Sequence, residues 1–139
     1  MNHRYVESSK STSLAVLVER VVSPLLRQHP APILFELNID TYLMTSASSN
    51  HLAALIETLV TDSLREMPRG GELSVSGCQT ANGVELEIAD TGSDAENRGR
   101  SLSLSAAALS CKPHWQNCPQ GGAAVTIVLP FNSAIRKAA

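Results

Sequence analysis

Two segments of alternating apolar and polar residues, joined by Asn82-Gly83, restrict the folds that this chain can adopt. Residues 72–77 and 84–89 each alternate apolar and polar side chains, which is the period-two pattern of a strand with one buried face. Asn-Gly is the strongest short hairpin signal, because both central residues of the turn take positive φ. We therefore predict two antiparallel neighbouring strands, whose apolar face has to be covered by a second layer.

Two amphipathic helices are predicted before the hairpin. Apolar residues recur every three or four positions over residues 14–26 and again over residues 52–67, so each helix presents one apolar face. The residues that can cap or stop these helices are Thr12 or Ser13 and Pro30 for the first, and Ser49 or Asn50, Pro68 and Gly70-Gly71 for the second. Both helices can therefore pack on the sheet.

The remaining segments complete a two-layer arrangement. Residues 33–39 and 124–130 alternate as strands, residues 101–110 suit a short third helix, and residues 112–120, with two prolines, are predicted to be a loop. One sheet covered on one side by three helices is the simplest arrangement, a two-layer α/β sandwich. We expect residues 1–12 to be an arm, residues 13–132 the domain, and residues 133–139 a tail.

Composition excludes several classes of function. A net charge of -2 over 139 residues gives no electrostatic case for binding nucleic acid or a membrane surface. No apolar run approaches the roughly 20 residues that cross a bilayer, and we expect a cytoplasmic protein. Three cysteines fit a reducing compartment. Cys111, His114 and Cys118 are close in sequence, but without a second pair of ligands we assign no metal.

Several motifs match those of a known family in the same chain order. They are Asp62, eight residues before Gly70, then Asp90-Thr91-Gly92, then Gly99-Arg-Ser-Leu-Ser-Leu, and the last strand after Gly121-Gly122. This arrangement resembles the ATP-binding domain of sensor histidine kinases, in the superfamily that also contains the gyrase and MutL ATPases. The resemblance covers residues 13–130. It implies a Bergerat-type fold with a mixed, mostly antiparallel sheet and three helices on one face.

The resemblance implies a role for each matching position. Asp62 stands where the family has the Asn that binds Mg²⁺, and Arg65 matches a basic residue facing the phosphates. Asp90 matches the residue that accepts a hydrogen bond from the adenine amino group, and Gly92 a glycine that lets the backbone approach the base. Thr58 stands where a carboxylate would be needed to activate water, so we assign no catalytic residue.

The phosphate-facing segment departs from the family pattern. Gly99 and Ser101 fall where backbone amides approach the phosphates, and serine replaces glycine at Ser101 and Ser103. Only residues 93–98 stand where active relatives carry a longer lid. We therefore expect Asp90 at the mouth of a purine-shaped cleft that lacks a cover, and weak or absent binding of the ATP and Mg²⁺ that the resemblance implies.

These features predict a docking or regulatory module of two-component signalling with a degraded nucleotide site. Its expected partner is a sensor kinase or a response regulator, with no nucleic acid and no membrane. Two alternatives stay open: an ATP-binding kinase domain that phosphorylates a histidine on a partner chain, and a histidine phosphotransferase-like protein.

Overall fold

A computed structural model describes residues 12–98 and 104–130 of the chain. In chain order its elements are β1 (Thr12–Ser13), α1 (Leu14–Gln28), β2 (Ile33–Ile39), β3 (Met44–Thr45), α2 (Ser49–Arg65), β4 (Gly71–Thr80), β5 (Gly83–Asp90), a short 3₁₀ helix (Ala95–Asn97), α3 (Leu104–Ala108), β6 (His114–Asn117) and β7 (Ala123–Pro130). The predicted two-layer α/β sandwich is confirmed.

The large sheet is mixed and mostly antiparallel. Its five strands lie in the order β2-β4-β5-β7-β6, and β1 and β3 form a separate two-stranded sheet. β2 and β4 are parallel, as expected for strands joined through a helix, while the other three pairs are antiparallel. The predicted antiparallel pairing of β4 and β5 is confirmed, but the turn lies one residue earlier than predicted. Thr80 pairs with Gly83, so Ala81 and Asn82 are its central residues, and of the predicted pair Asn82-Gly83 only Gly83 has positive φ.

The core lies between the helices and one face of this sheet. Alternate residues of β5 and β7 are buried and meet the apolar faces of α1 and α2. The largest fully buried side chains include Leu14, Val18 and Val22 of α1, Leu52, Leu55, Ile56 and Val60 of α2, and Leu73, Leu86, Ile88, Ile127 and Leu129 of the strands. Burial of these side chains is the main stabilising contribution to the domain.

The predicted loop over residues 112–120 is wrong in its middle. His114–Asn117 form β6, the edge strand that pairs with β7. Trp115 is its one large apolar side chain, so the segment has no period-two pattern, and flanking prolines are compatible with an edge position. Ser13, one of the two predicted caps, is confirmed: its Oγ accepts a hydrogen bond from the Val16 amide at 3.4 Å. The predicted caps of α2 are wrong, because Ser49 and Asn50 lie inside the helix and Ser48 precedes it.

Candidate functional site

Asp90, the last residue of β5, lies at the end of the sheet with its side chain towards the helices. Side chains two residues apart on a strand share a face, and Leu86 and Ile88 on the same face of β5 are also buried. Only 1% of the Asp90 side chain is exposed. The Gly92 amide donates a hydrogen bond to Asp90 Oδ1 at 2.8 Å. This contact folds the chain back directly after the strand.

Arg98 covers the Asp90 carboxylate. Its Nη1 donates to Oδ2 at 2.8 Å and its Nη2 donates to Oδ1 at 2.7 Å, the two-point geometry in which arginine and carboxylate match best. Nη2 also donates to the Ser93 carbonyl at 2.8 Å, and Nε lies 3.4 Å from Ser93 Oγ. The expectation of an uncovered Asp90 is therefore wrong: the short segment after Gly92 supplies an arginine that buries it.

The surroundings of Arg98 favour its charged form. Its Cζ lies 5.9 Å from the centre of the Trp115 ring, within the range of a cation–π contact. Burial by itself lowers the pKa of Arg98, but hydrogen bonding and charge from Asp90, with the charges of Glu66 and Asp62, outweigh it and raise that pKa. Glu66 also accepts a hydrogen bond from the Ser93 hydroxyl. The guanidinium therefore remains protonated in this site.

Two glycines allow the close packing around the pair. A Cβ at Gly92 would stand 3.0 Å from Arg98 Nη2 and 2.6 Å from the Glu66 carbonyl oxygen. Gly122, with φ of +95°, passes so near the Asp90 carbonyl that a Cβ would lie 2.0 Å from its oxygen. A side chain at either position would displace the residues that hold the carboxylate.

Asp62 and Arg65 lie near the end of α2 and pair with each other. Arg65 Nη1 donates to Asp62 Oδ1 at 2.8 Å, with side-chain exposures of 65% for Arg65 and 31% for Asp62. One turn earlier, the Thr58 hydroxyl donates to the Ala54 carbonyl at 3.0 Å. Asp62 also contributes to the electrostatic field at Arg98. The structure thus brings Asp62, Arg65, Asp90 and Gly92 to one end of the sandwich.

Two predicted site residues, Gly99 and Ser101, lie outside the described residues. Within residues 12–98 and 104–130, no group of three or more His, Cys, Asp or Glu side chains is placed to hold a metal ion. Over the same residues, none of the helices combines the length and the apolar character that a bilayer crossing needs.

Sequence reasoning missed Arg98, Glu66 and Trp115. Arg98 stands in a polar loop two residues from Arg100, and no periodicity distinguishes one arginine from the other. Trp115 lay in the segment predicted to be a loop. The one usable signal was the unpaired carboxylate of Asp90 at the end of a buried strand, because a charge at such a position needs a partner.

The face of the large sheet opposite the helices is acidic and carries no layer of its own among residues 12–98 and 104–130. Glu36, Glu72, Glu85 and Glu87 lie on it, and the seven described strands contain no Lys or Arg. Lys112, just before β6, lines a depression together with Glu85 and Glu87. Leu34 on this face is 68% exposed. A shallow depression of about 740 Å³ lies at one end and is lined by residues that include Leu34, Glu36, Ser74, Ala89 and Gln120.

Comparison with solved structures identifies the fold. The chain superposes on the mycobacterial sensor histidine kinase MprB with a TM-score of 0.70 and 18% identity, covering 87% of this chain and 97% of that one. For the ATP-binding domain of PrrB from Mycobacterium tuberculosis the TM-score is 0.66 and the identity 18%, with 88% and 97% covered. For the catalytic domain of histidine kinase ThkA the TM-score is 0.70 and the identity 13%, with 87% and 95% covered.

At the level of sequence, no protein-family model matches the chain, and no curated protein matches it. The fold is nevertheless that of the histidine kinase ATP-binding domain, because the likeness extends over 95–97% of each of these three matched chains. A fold by itself does not fix an activity. The function has to be argued from the site.

Proposed function

We propose that this chain is a docking or regulatory module of two-component signalling, formed by residues 13–132, whose nucleotide site is degraded. The observation that carries the proposal is the Arg98–Asp90 pair. Asp90 Oδ1 accepts hydrogen bonds from Arg98 Nη2 and the Gly92 amide, and Oδ2 accepts one from Arg98 Nη1. An adenine amino group approaching this carboxylate meets two oxygens that already accept three hydrogen bonds, on a side chain that is only 1% exposed.

The residues at the phosphate end also fit ATP and Mg²⁺ poorly. Asp62, at the position where the family binds Mg²⁺, has its carboxylate paired with Arg65. Thr58 is turned back to its own helix and carries no group that can take a proton from water. Thr58 therefore supplies no catalytic base, and the Asp62 carboxylate is shared with Arg65, which supports a module without kinase activity.

The acidic sheet face supports a docking role. It combines the exposed Leu34 with four glutamates, of which Glu36 and Glu72 line one depression without a basic neighbour, while Lys112 lines another with Glu85 and Glu87. Such a surface complements a partner with a basic face, because opposite potentials steer encounter and fix orientation. The partner we propose is a sensor kinase or response regulator with a basic contact surface.

A second candidate function is an ATP-binding kinase domain that phosphorylates a histidine on another chain. The observation in its favour is that Asp90 ends β5 in a fold shared with histidine kinase catalytic domains. This function requires Arg98 to leave the carboxylate whenever ATP binds. The two candidates therefore differ in a measurable property, the affinity of the protein for ATP.

Calorimetric titration of ATP, with and without Mg²⁺, tests the proposal. The expected result is no heat of binding at millimolar ATP for the wild-type protein and for two variants, Asp90→Asn and Asp94→Asn. Asp94 is a matched control, because it lies exposed on the same loop as Arg98. Micromolar binding that Asp90→Asn abolishes and Asp94→Asn preserves would overturn the proposal and favour the kinase.

A further inference from the structure

We propose that the free edge of β2 (Ile33–Ile39) binds an extended segment of a partner protein, which adds a sixth strand to the large sheet. The segment is one in which apolar residues alternate with lysine or arginine. This inference deepens the proposed docking role and rests on it, because it names the segment of the partner that is recognised and the element of this chain that recognises it.

β2 is an edge strand whose outer side has no pairing strand among residues 12–98 and 104–130. It stands first in the order β2-β4-β5-β7-β6 and pairs with β4 alone. Within the same residues, no turn or loop makes a backbone hydrogen bond with residues 33–39. Alternate N–H and C=O groups of an edge strand point away from its neighbour, so they can pair with a strand from another chain.

β2 lacks the features by which edge strands avoid such pairing. Proteins protect an edge with lysine, proline, a bulge, a very short strand or a charge that points inward. β2 has seven residues in unbroken register with β4, contains no Lys, Arg or Pro, and carries its one charged side chain, Glu36, on the exposed face. The edge can therefore accept a strand along its whole length.

The opposite edge of the sheet is protected. β6 (His114–Asn117) has only four residues, and Pro113 and Pro119 lie on either side of it. The 3₁₀ helix lies beside β6, and its Ala95 amide donates a hydrogen bond to Asn117 Oδ1 at 2.6 Å. The two edges thus differ in how readily they accept another strand, and the difference favours β2 as the docking element.

The inner face of β2 determines the apolar side of the partner segment. Ile33, Phe35 and Leu37 face the helices but are only partly buried. Leu73 and Val75, which are their neighbours on β4, are fully buried. An added strand places apolar side chains beside the three β2 residues and removes more of their surface from water, which stabilises the complex.

The outer face of β2 determines the charge of the partner segment. Glu36 is exposed, pairs in register with the uncharged Ser74, and lines the same depression as Glu72. No ion pair in the described part of the chain includes either glutamate. A lysine or arginine opposite Glu36 has its Cβ about 5 Å away, where opposite charges attract. A second copy of β2 fits less well, because full antiparallel pairing places Glu36 opposite Glu36.

The test measures binding of a labelled seven-residue peptide of alternating valine and lysine to the full chain without nucleotide. Fluorescence anisotropy gives the affinity, and amide hydrogen exchange followed by nuclear magnetic resonance gives the location. One control peptide has glutamate in place of lysine. A second has N-methylated backbone amides, which keep the charge and remove the N–H donors. The variants are Glu36→Lys and, as a matched control on the same sheet face, Glu87→Lys.

The expected result is that the valine–lysine peptide binds and slows exchange of the fast amides in residues 33–39, with no change in residues 114–117. Glu36→Lys should weaken binding about 5- to 10-fold, because a cross-strand attraction becomes a repulsion. Glu87→Lys should change it less than about 2-fold, since β5 lies about 14 Å from the added strand, beyond the roughly 10 Å range of screened charges. The glutamate peptide should prefer Glu36→Lys.

Absence of binding, equal weakening by the two variants, or binding of the N-methylated peptide would overturn the inference, because the edge of β2 would not be the binding element. Slow exchange of every amide of residues 33–39 in the free protein would also overturn it. A second copy then occupies the edge if the protection rises with protein concentration, and another segment of this chain if it does not.

These outcomes are separate from the test of the proposed function. Failure of the peptide to bind β2 leaves the proposed function standing, since that depends on ATP binding by the wild-type protein. Conversely, tight ATP binding refutes the proposed function and does not alter where the peptide binds, because the peptide is measured without nucleotide.

Discussion

The two Asp–Arg pairs at one end of the sandwich are made of the same two residue types, but one pair is exposed to solvent and the other is buried. Asp62 and Arg65 sit on the surface of α2, with exposures of 31% and 65%, whereas the Asp90 and Arg98 side chains are each 1% exposed. Exposed pairs contribute about 0–1 kcal/mol because water screens them. Loss of one member of a buried pair costs about 3–5 kcal/mol, since the other charge is left unpaired.

The two pairs also differ in how the chain brings their members together. Asp62 and Arg65 are local neighbours on a helix, and their contact would form in any protein with this spacing. The Asp90–Arg98 contact requires a loop that returns the chain to the end of β5 within eight residues. The buried pair therefore depends on the folded arrangement of this loop, whereas the exposed pair depends only on helix geometry.

Breaking the buried pair should have the largest effect. Arg98→Ala leaves the Asp90 carboxylate buried without its cation, so the free energy of unfolding should fall by about 3–5 kcal/mol. Urea denaturation followed by circular dichroism measures the change. Arg65→Ala is the matched control and should change stability by less than about 1 kcal/mol. Equal losses for the two variants would contradict the contrast between the pairs.

A substitution that removes apolar packing gives a loss of unfolding free energy with which the loss for Arg98→Ala can be compared. Leu59 on α2 is 5% exposed and belongs to the core, so Leu59→Ala should destabilise by about 2–5 kcal/mol. Its neighbour Thr58 is exposed, and Thr58→Ala should stay within about 0.5 kcal/mol. A change below about 0.5 kcal/mol for Leu59→Ala would reject the placement of this helix face in the core.

Crowding the buried pair should produce a smaller loss. Gly92→Ala places a Cβ 2.6 Å from the Glu66 carbonyl oxygen and 3.0 Å from Arg98 Nη2, so the neighbours must shift at a cost of about 1–3 kcal/mol. The same denaturation experiment checks it. Wild-type stability in this variant would show that the guanidinium does not pack against Gly92.

The smallest expected effect is that of salt on the coupling free energy within each Asp–Arg pair. A double-mutant cycle on Asp62 and Arg65 should give a coupling of about 0.3–0.5 kcal/mol at low ionic strength, which falls as salt is added because exposed charges are screened. The coupling between Asp90 and Arg98 should hardly depend on salt. A strongly salt-dependent coupling for the buried pair would mean that water reaches it.

The sequence predicted the architecture because its signals are local and periodic. Asn82-Gly83 marked the hairpin to within one residue, and the apolar stripe of α2 marked the covering layer. The position of Asp90 followed from its place directly after a buried strand. These features depend on neighbours within a few residues, which a linear pattern records.

The partner of Asp90 could not be predicted in the same way. Arg98 reaches Asp90 through a non-repeating loop, and Trp115 meets Arg98 only because β6 pairs with β7 at the edge of the sheet. Both contacts depend on the folded arrangement and leave no periodic trace. The central strands of the sheet could therefore be predicted from the sequence, whereas the contact of Arg98 with Asp90 was found only in the structure.

The most direct test of the account is nuclear magnetic resonance of the Arg98 side chain in protein labelled with ¹⁵N-arginine, with Arg98→Lys to assign its Nε–H signal. We predict a signal that exchanges slowly with water, as expected for a buried hydrogen-bonded group, and that is unchanged by ATP and Mg²⁺. An Arg98 signal that exchanges as fast as that of exposed Arg65, or that shifts when ATP is added, would contradict the claim that Arg98 occupies the site.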